Sequence, residues 1–249
     1  MREILPRSAM IEVDLIKKHG KKALGMEEHG HHKQTWRQRL PDILLEIAII
    51  VFAVTLSIQL HSWHEHSLER EKERKFLVGL RQDLQQDLRE MSRDSGSYQV
   101  QLRGLRYYLA FAAGKQRPDS VNHYQWTLRN ATVLIPNNSR FEGLKSAGEI
   151  DIIENEDMLN GILDYYQELI PDLVLNADAY SQYKQQHIGG YLDEHLAPDQ
   201  HNLAVVLASN PMQNYLMRWQ NIPGIISKYH GVMQHSRHLL RQINSQLAE

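Results

Sequence analysis

Histidine supplies the side chains whose types and spacing come nearest to a reactive or metal-binding centre in this sequence. Fourteen are present. His61, His64 and His66 lie close together; His61 and His64 share a helical face at spacing three, and Glu65 follows His61 by four. Neutral imidazoles and a carboxylate are ligands that a divalent transition metal accepts. His235 and His238 repeat the spacing with His230 nearby, and His29, His31 and His32 cluster near the start. No cluster brings a full ligand set of its own. Polar surface histidine in a His-rich chain explains them as well, so the expectation is no resident metal and no cofactor. Titration near neutrality is the other chemistry these imidazoles offer.

Other chemistry is thinner. Tyr165, Tyr166, Tyr180, Tyr183 and Tyr191 could line a cleft between helices, but such a stripe at helical spacing is more often core. Asp151, Glu154, Glu156 and Asp157 resemble paired carboxylates for acid–base work, yet a helix start explains them through its dipole. Phosphate loops, nucleophile elbows and dinucleotide fingerprints are absent from the sequence. Cysteine is also absent, which removes disulfides, thiolate metal sites and cysteine nucleophiles. With 28 basic and 30 acidic residues the chain carries a formal charge of −2, giving no whole-chain attraction for nucleic acid. No enzyme is expected.

The element that must position everything else is Ile43 to Leu60, ILLEIAIIVFAVTLSIQL. At about 1.5 Å per residue this run makes a helix roughly 27 Å long, close to the hydrocarbon core of a bilayer. Glu46, Thr55, Ser57 and Gln59 interrupt it; Glu46 lies in the first turn, near the interface and the positive helix end. Trp36 and Trp63 fall about 40 Å apart if helical, matching the two interfacial belts, and are assigned as membrane-interface anchors. A cleaved signal peptide fits poorly, because the run starts late and lacks a small-x-small exit. Lys33, Arg37 and Arg39 precede the span, whereas the first basic residue after it is Arg70. The positive-inside rule then places the N-terminus in the cytoplasm and the C-terminal part outside, a single-pass signal-anchor topology. Ala48, Phe52, Thr55 and Gln59 share one side, and small or polar residues in lipid tend to face another helix. That face is the expected site of homo-oligomer contact.

The remaining elements read as helices. Residues 1–40 form a loosely ordered cytoplasmic tail with an amphipathic stretch between Ser8 and Gly20, residues 41–62 the transmembrane helix, opened by Pro41, and residues 63–249 an extracytoplasmic domain. Leu77, Leu80, Leu84, Leu88 and Met91 form one apolar stripe, with Ser95-Gly96-Ser97 a candidate break. Residues 119–154 are irregular: short helix or extended chain, then a turn at Pro136-Asn137-Asn138-Ser139 with Ser139 as cap. Asn155 caps a long helix that crosses Pro171 with a kink or restart and closes at Gly189-Gly190. Asn210-Pro211, with Gln213 as capping-box partner, opens the last helix. The fold class is therefore all-α, one transmembrane helix continuing into an antiparallel helical bundle.

Two segments, LLEIAIIVFAVTLSIQLHSWHEHSLEREKERKFLVGLRQDL and RFEGLKSAGEIDIIENEDMLNGILDYY, resemble a widespread bacterial family of single-pass membrane proteins whose domain has no assigned function. The C-terminal NYLMRWQNIPGIISKYHGVMQHSRHLLRQI is similar to that family's last helix. The likeness spans roughly residues 37–247, with a longer N-terminal tail and Pro41-Asp42 and Leu45 as departures. It implies the bacterial inner membrane, a periplasmic C-terminal domain and no catalytic residues. The expected function is a membrane-anchored scaffold or sensor working through self-association or a membrane or periplasmic protein partner. An oligomeric pore or transport accessory lined by Glu46, Ser57 and Gln59 is the alternative, and a His-metal enzyme the remote one.

Overall fold

The computed structural model describes residues 36–117, 121–218 and 221–248, with side chains from Leu44 onward. The tail helix expected between Ser8 and Gly20 and the histidines at 29, 31 and 32 lie outside the described residues. The chain divides into two compact units, Met1–Ser62 and Trp63–Glu249. All regular structure among the described residues is helical.

In the first unit, the described chain is the opening part of helix α1, Trp36–Ala112. The helix begins before Pro41 rather than at it. A proline this close to the start forfeits a single backbone bond, to the carbonyl of residue 37, so the preceding turn forms anyway. One stretch of α1 is long and apolar enough to cross a membrane, and none of it is buried. Eleven large apolar side chains between Leu44 and Leu60 stand exposed, Phe52 most of all at 68%.

In the second unit, α1 presents Leu77, Leu80, Leu84, Met91, Tyr98, Leu105 and Tyr108 to the core at three- and four-residue spacing. The expected break at Ser95-Gly96-Ser97 does not occur, and the helix runs through to Ala112. Helical hydrogen bonding carries Gly96, and Ser97 is occupied by a tertiary bond to Thr132. After a short 3-10 turn, Gln125–Leu128, residues 129–138 run without regular structure to α2, Ser139–Ser146. Asn138, not Ser139, occupies the N-cap of α2, and Gly148 follows its end at φ +70°.

Helix α3, Glu156–Leu163, starts where Asn155 Oδ1 accepts from the Met158 N–H. It passes through a π turn, Asp164–Leu169, into α4, Ile170–Tyr183. Pro171 thus follows a widened turn, which is how the helix restarts without a break. A second π turn, Lys184–Gly189, leads into α5, Gly190–His195, so the helix does not close at the Gly pair. Helices α6, Leu203–Ala208, and α7, Asn210–Arg218, follow. Asn210 is the first helical residue rather than the cap, and Gln213 donates to the Leu207 carbonyl instead of forming a capping box. Pro223 sits in the first turn of a separate helix α8, Ile222–Ala248.

Helix α8 meets α3 and α4 through His235 with the Gly161 carbonyl and Lys228 with Asp172. It meets α1 through Tyr229 with Asp94 and His230 with Ser95.

Candidate functional site

A row of side chains on α1 fastens the chain between residues 121 and 154, which is irregular apart from α2 and two short 3-10 turns. Tyr98 Oη donates to the Thr132 carbonyl at 2.5 Å, and Glu90 accepts from the Ile135 N–H at 3.0 Å. Asp87 accepts from the Asn137 N–H and Nδ2, Asp83 pairs with Arg140, and Glu73 accepts from the Glu154 N–H. Numbers descend along α1 as they ascend along the segment, so the strap lies against the helix in the opposite sense. Asp87 is fully buried and also accepts from Tyr165 Oη. Burial raises its carboxyl above the ordinary range, opposed by the Asn137 and Tyr165 bonds. Asp94 is raised by burial in the same way, against its bond from Tyr229.

The densest polar cluster lies at the other end of this strap. Lys184, the first residue of the second π turn, has a side chain 0% exposed. Its Nζ donates to Gln101 Oε1 at 2.9 Å, Asn130 Oδ1 at 2.7 Å and the Thr127 carbonyl at 3.3 Å, and it lies 5.4 Å from the Tyr180 ring centroid. Gln101, also fully buried, accepts from Tyr180 Oη and donates to Ser97 Oγ and Thr132 Oγ1. Asn130 Nδ2 donates to the same Thr132 hydroxyl, which is bonded to Ser97 as well. Burial drives the Lys184 ammonium down to about 7. Three acceptors match the three N–H donors of a charged amine, while the dry surroundings favour the neutral form; proton exchange near neutrality is the chemistry this arrangement can do.

No family model, curated protein or solved structure matches this chain.

The residues singled out from the sequence fall as follows. His61, His64 and His66 are exposed on α1, with His66 Nδ1 3.4 Å from Glu69. His235 bonds the Gly161 carbonyl and stacks on Tyr165, whereas His238 is exposed. Among the described residues no three His, Asp or Glu side chains are grouped to hold a metal ion. Ala48, Phe52, Thr55 and Gln59 are all exposed, and the Thr55 hydroxyl donates to the Val51 carbonyl of its own helix. Trp63 is exposed beside Ser67 and Arg70; the Trp36 side chain lies outside the described residues. Tyr165, Tyr166 and Tyr180 are core, Tyr183 and Tyr191 half-buried, and the carboxylates around Asn155 are exposed.

Lys184, Gln101 and Asp87 were not found by sequence reasoning. Each nevertheless occupies an apolar phase: Lys184 between Tyr180 and Ile188, Gln101 between Tyr98 and Leu105, Asp87 between Leu84 and Met91. A polar residue at a core phase was the available signal.

Proposed function

We propose that this chain is a membrane-anchored helical scaffold or sensor that acts through self-association or a protein partner, without catalysis. The observation that carries the reading is the bare apolar surface of α1 between Leu44 and Leu60. Fully burying one such side chain is worth about 1.5–3 kcal/mol, so eleven of them half exposed to water forgo on the order of 10 kcal/mol. That rivals the whole net stability of a domain. A bilayer removes the cost. The basic residues before the span support a cytoplasmic N-terminus, and the two quoted motifs support the likeness to the single-pass bacterial family of the inner membrane.

The domain reading is a helical bundle with α8 antiparallel to α3 and α4, supported by the pairs Lys228–Asp172 and His235–Gly161. Trp36 and Trp63 serve as interfacial anchors, and Ala48, Phe52, Thr55 and Gln59 face a second copy in lipid. Crosslinking the full chain in native membranes is expected to give discrete oligomers or one defined heterologous partner. A monomer with no crosslinked product contradicts the reading.

A further inference from the structure

We propose that the cleft on α1 lined by Trp63, Ser67 and Arg70 binds the phosphate of a membrane lipid headgroup. This rests on the membrane-anchor reading above and names a ligand for the stretch that follows the apolar run. The three side chains share one face of the helix, at spacings of four and three. Arg74 extends that face by a further turn. The cleft measures about 120 Å³ and opens to the surface. A site that engulfs a whole small molecule needs about 300 Å³ or more, so this one suits a single group carried on a larger molecule.

The lining chemistry selects an anion. An indole N–H, a hydroxyl and a guanidinium are all hydrogen-bond donors, and none of the lining residues is a carboxylate. A planar guanidinium grips a phosphate through two parallel bonds. Neighbouring charges are already engaged: Lys72 pairs with Glu149, Lys75 with Glu71, and Glu69 lies against His66. Arg70 and Arg74 are exposed and, among the described residues, have no such pair; the Ser67 hydroxyl is likewise unbonded there. The two unmatched cations of this stretch thus fall on the face of the cleft.

Height favours a lipid over a soluble anion. Trp63, as an interfacial anchor, stands at headgroup level, and the headgroup layer is about 5–8 Å deep on each side of a bilayer. Arg70 lies seven residues, roughly 10 Å, further along α1. Helical side chains slant toward the N-terminus, here toward Trp63, so the guanidinium returns by about one turn on its apolar stem. That brings its charge to the level of lipid phosphates.

Native mass measurement of the full chain in mild detergent, mixed with phosphatidylglycerol or with diacylglycerol of the same acyl chains, tests this. Phosphatidylglycerol should be retained and diacylglycerol, which lacks the phosphate, should not. Arg70→Gln should weaken phosphatidylglycerol retention about tenfold, as loss of a charge-assisted bond does. Arg106→Gln, at an exposed arginine far along α1, should leave it unchanged. Retention by Arg70→Gln equal to wild type overturns the proposal, as do equal losses in the two variants. Displacement of the lipid by inorganic phosphate at the same concentration overturns it too, because the site then takes a free anion. Failure here leaves residues 47–58 shielded by lipid, whereas failure of the anchor reading exposes them to water.

Discussion

The fully buried carboxylate of Asp87 receives two hydrogen bonds from one residue, Asn137, through its backbone N–H at 3.0 Å and its Nδ2 at 2.7 Å. The part of the strap without regular structure, residues 129–138, is thereby held on α1 by a buried acid. Tyr165 adds a third donor to the same carboxylate, so α1, the strap and the π turn after α3 meet at a single point.

Asp87→Asn can keep the oxygen that accepts both Asn137 bonds but turns an NH2 group toward the Tyr165 hydroxyl, which then loses the acceptor of its own O–H. A loss of about 2 kcal/mol is expected, measured as the shift in urea midpoint of the full chain in mild detergent. The pH profile should change too. The raised carboxyl contributes stability that is complete below the unfolded value of 3.8 and is lost as pH climbs through the folded value. Wild-type stability relative to Asp87→Asn should therefore be greatest in mild acid and decline toward neutrality. A difference between the two proteins that is constant with pH would show that Asp87 titrates as in an open chain.

Two glycines of α1 should respond oppositely to alanine. At Gly96 a Cβ meets nothing within 4 Å, so Gly96→Ala should raise stability by about 0.5–1 kcal/mol through helix propensity. At Gly104 the Cβ would lie 2.8 Å from Thr127 Oγ1, whose hydroxyl donates to the Tyr124 carbonyl. Gly104→Ala should cost about 1–3 kcal/mol, as overpacking does, and should loosen the Gln125–Leu128 turn. Equal midpoints for the two variants would mean that the turn does not press on α1 at this glycine.

These residues also mark where the sequence was readable. The stripe from Leu77 to Met91 and the Asn155 cap follow from periodicity and local hydrogen bonding, and both are in the structure. Helical periodicity also placed Tyr165, Tyr166 and Tyr180 in the core. The helix was expected to pause at Ser95-Gly96-Ser97 because turn residues cluster there; tertiary bonds from Ser95 to His230 and Ser97 to Thr132 outweigh that local tendency. The Gly189-Gly190 stop failed for a related reason, since a π turn carries the helix through both glycines. The Lys184 cluster was hidden more deeply. Its partners are 54 to 83 residues away in the chain, and no local pattern announces such a contact.

Within the membrane reading, Gln59 should matter more than Thr55 for association. The Thr55 hydroxyl already bonds the Val51 carbonyl of its own helix. An interhelical bond in lipid is worth about 1 kcal/mol, roughly fivefold in a dissociation constant. Gln59→Leu should therefore weaken self-association about fivefold in bilayer energy-transfer measurements, with Thr55→Val nearly neutral. The reverse order would place the contact on another face.

The chain contains no cysteine, so single cysteines can be introduced without background. Cysteines placed one at a time at Ile47, Ile50, Phe52, Val54, Ile58 and Arg70 can be treated, in intact membranes, with a maleimide that cannot cross lipid. Positions 47 to 58 should stay unlabelled until detergent is added, with Arg70 labelled from the outer side only. Rapid labelling of Ile50 and Phe52 in intact membranes would mean that water, not lipid, surrounds that helix.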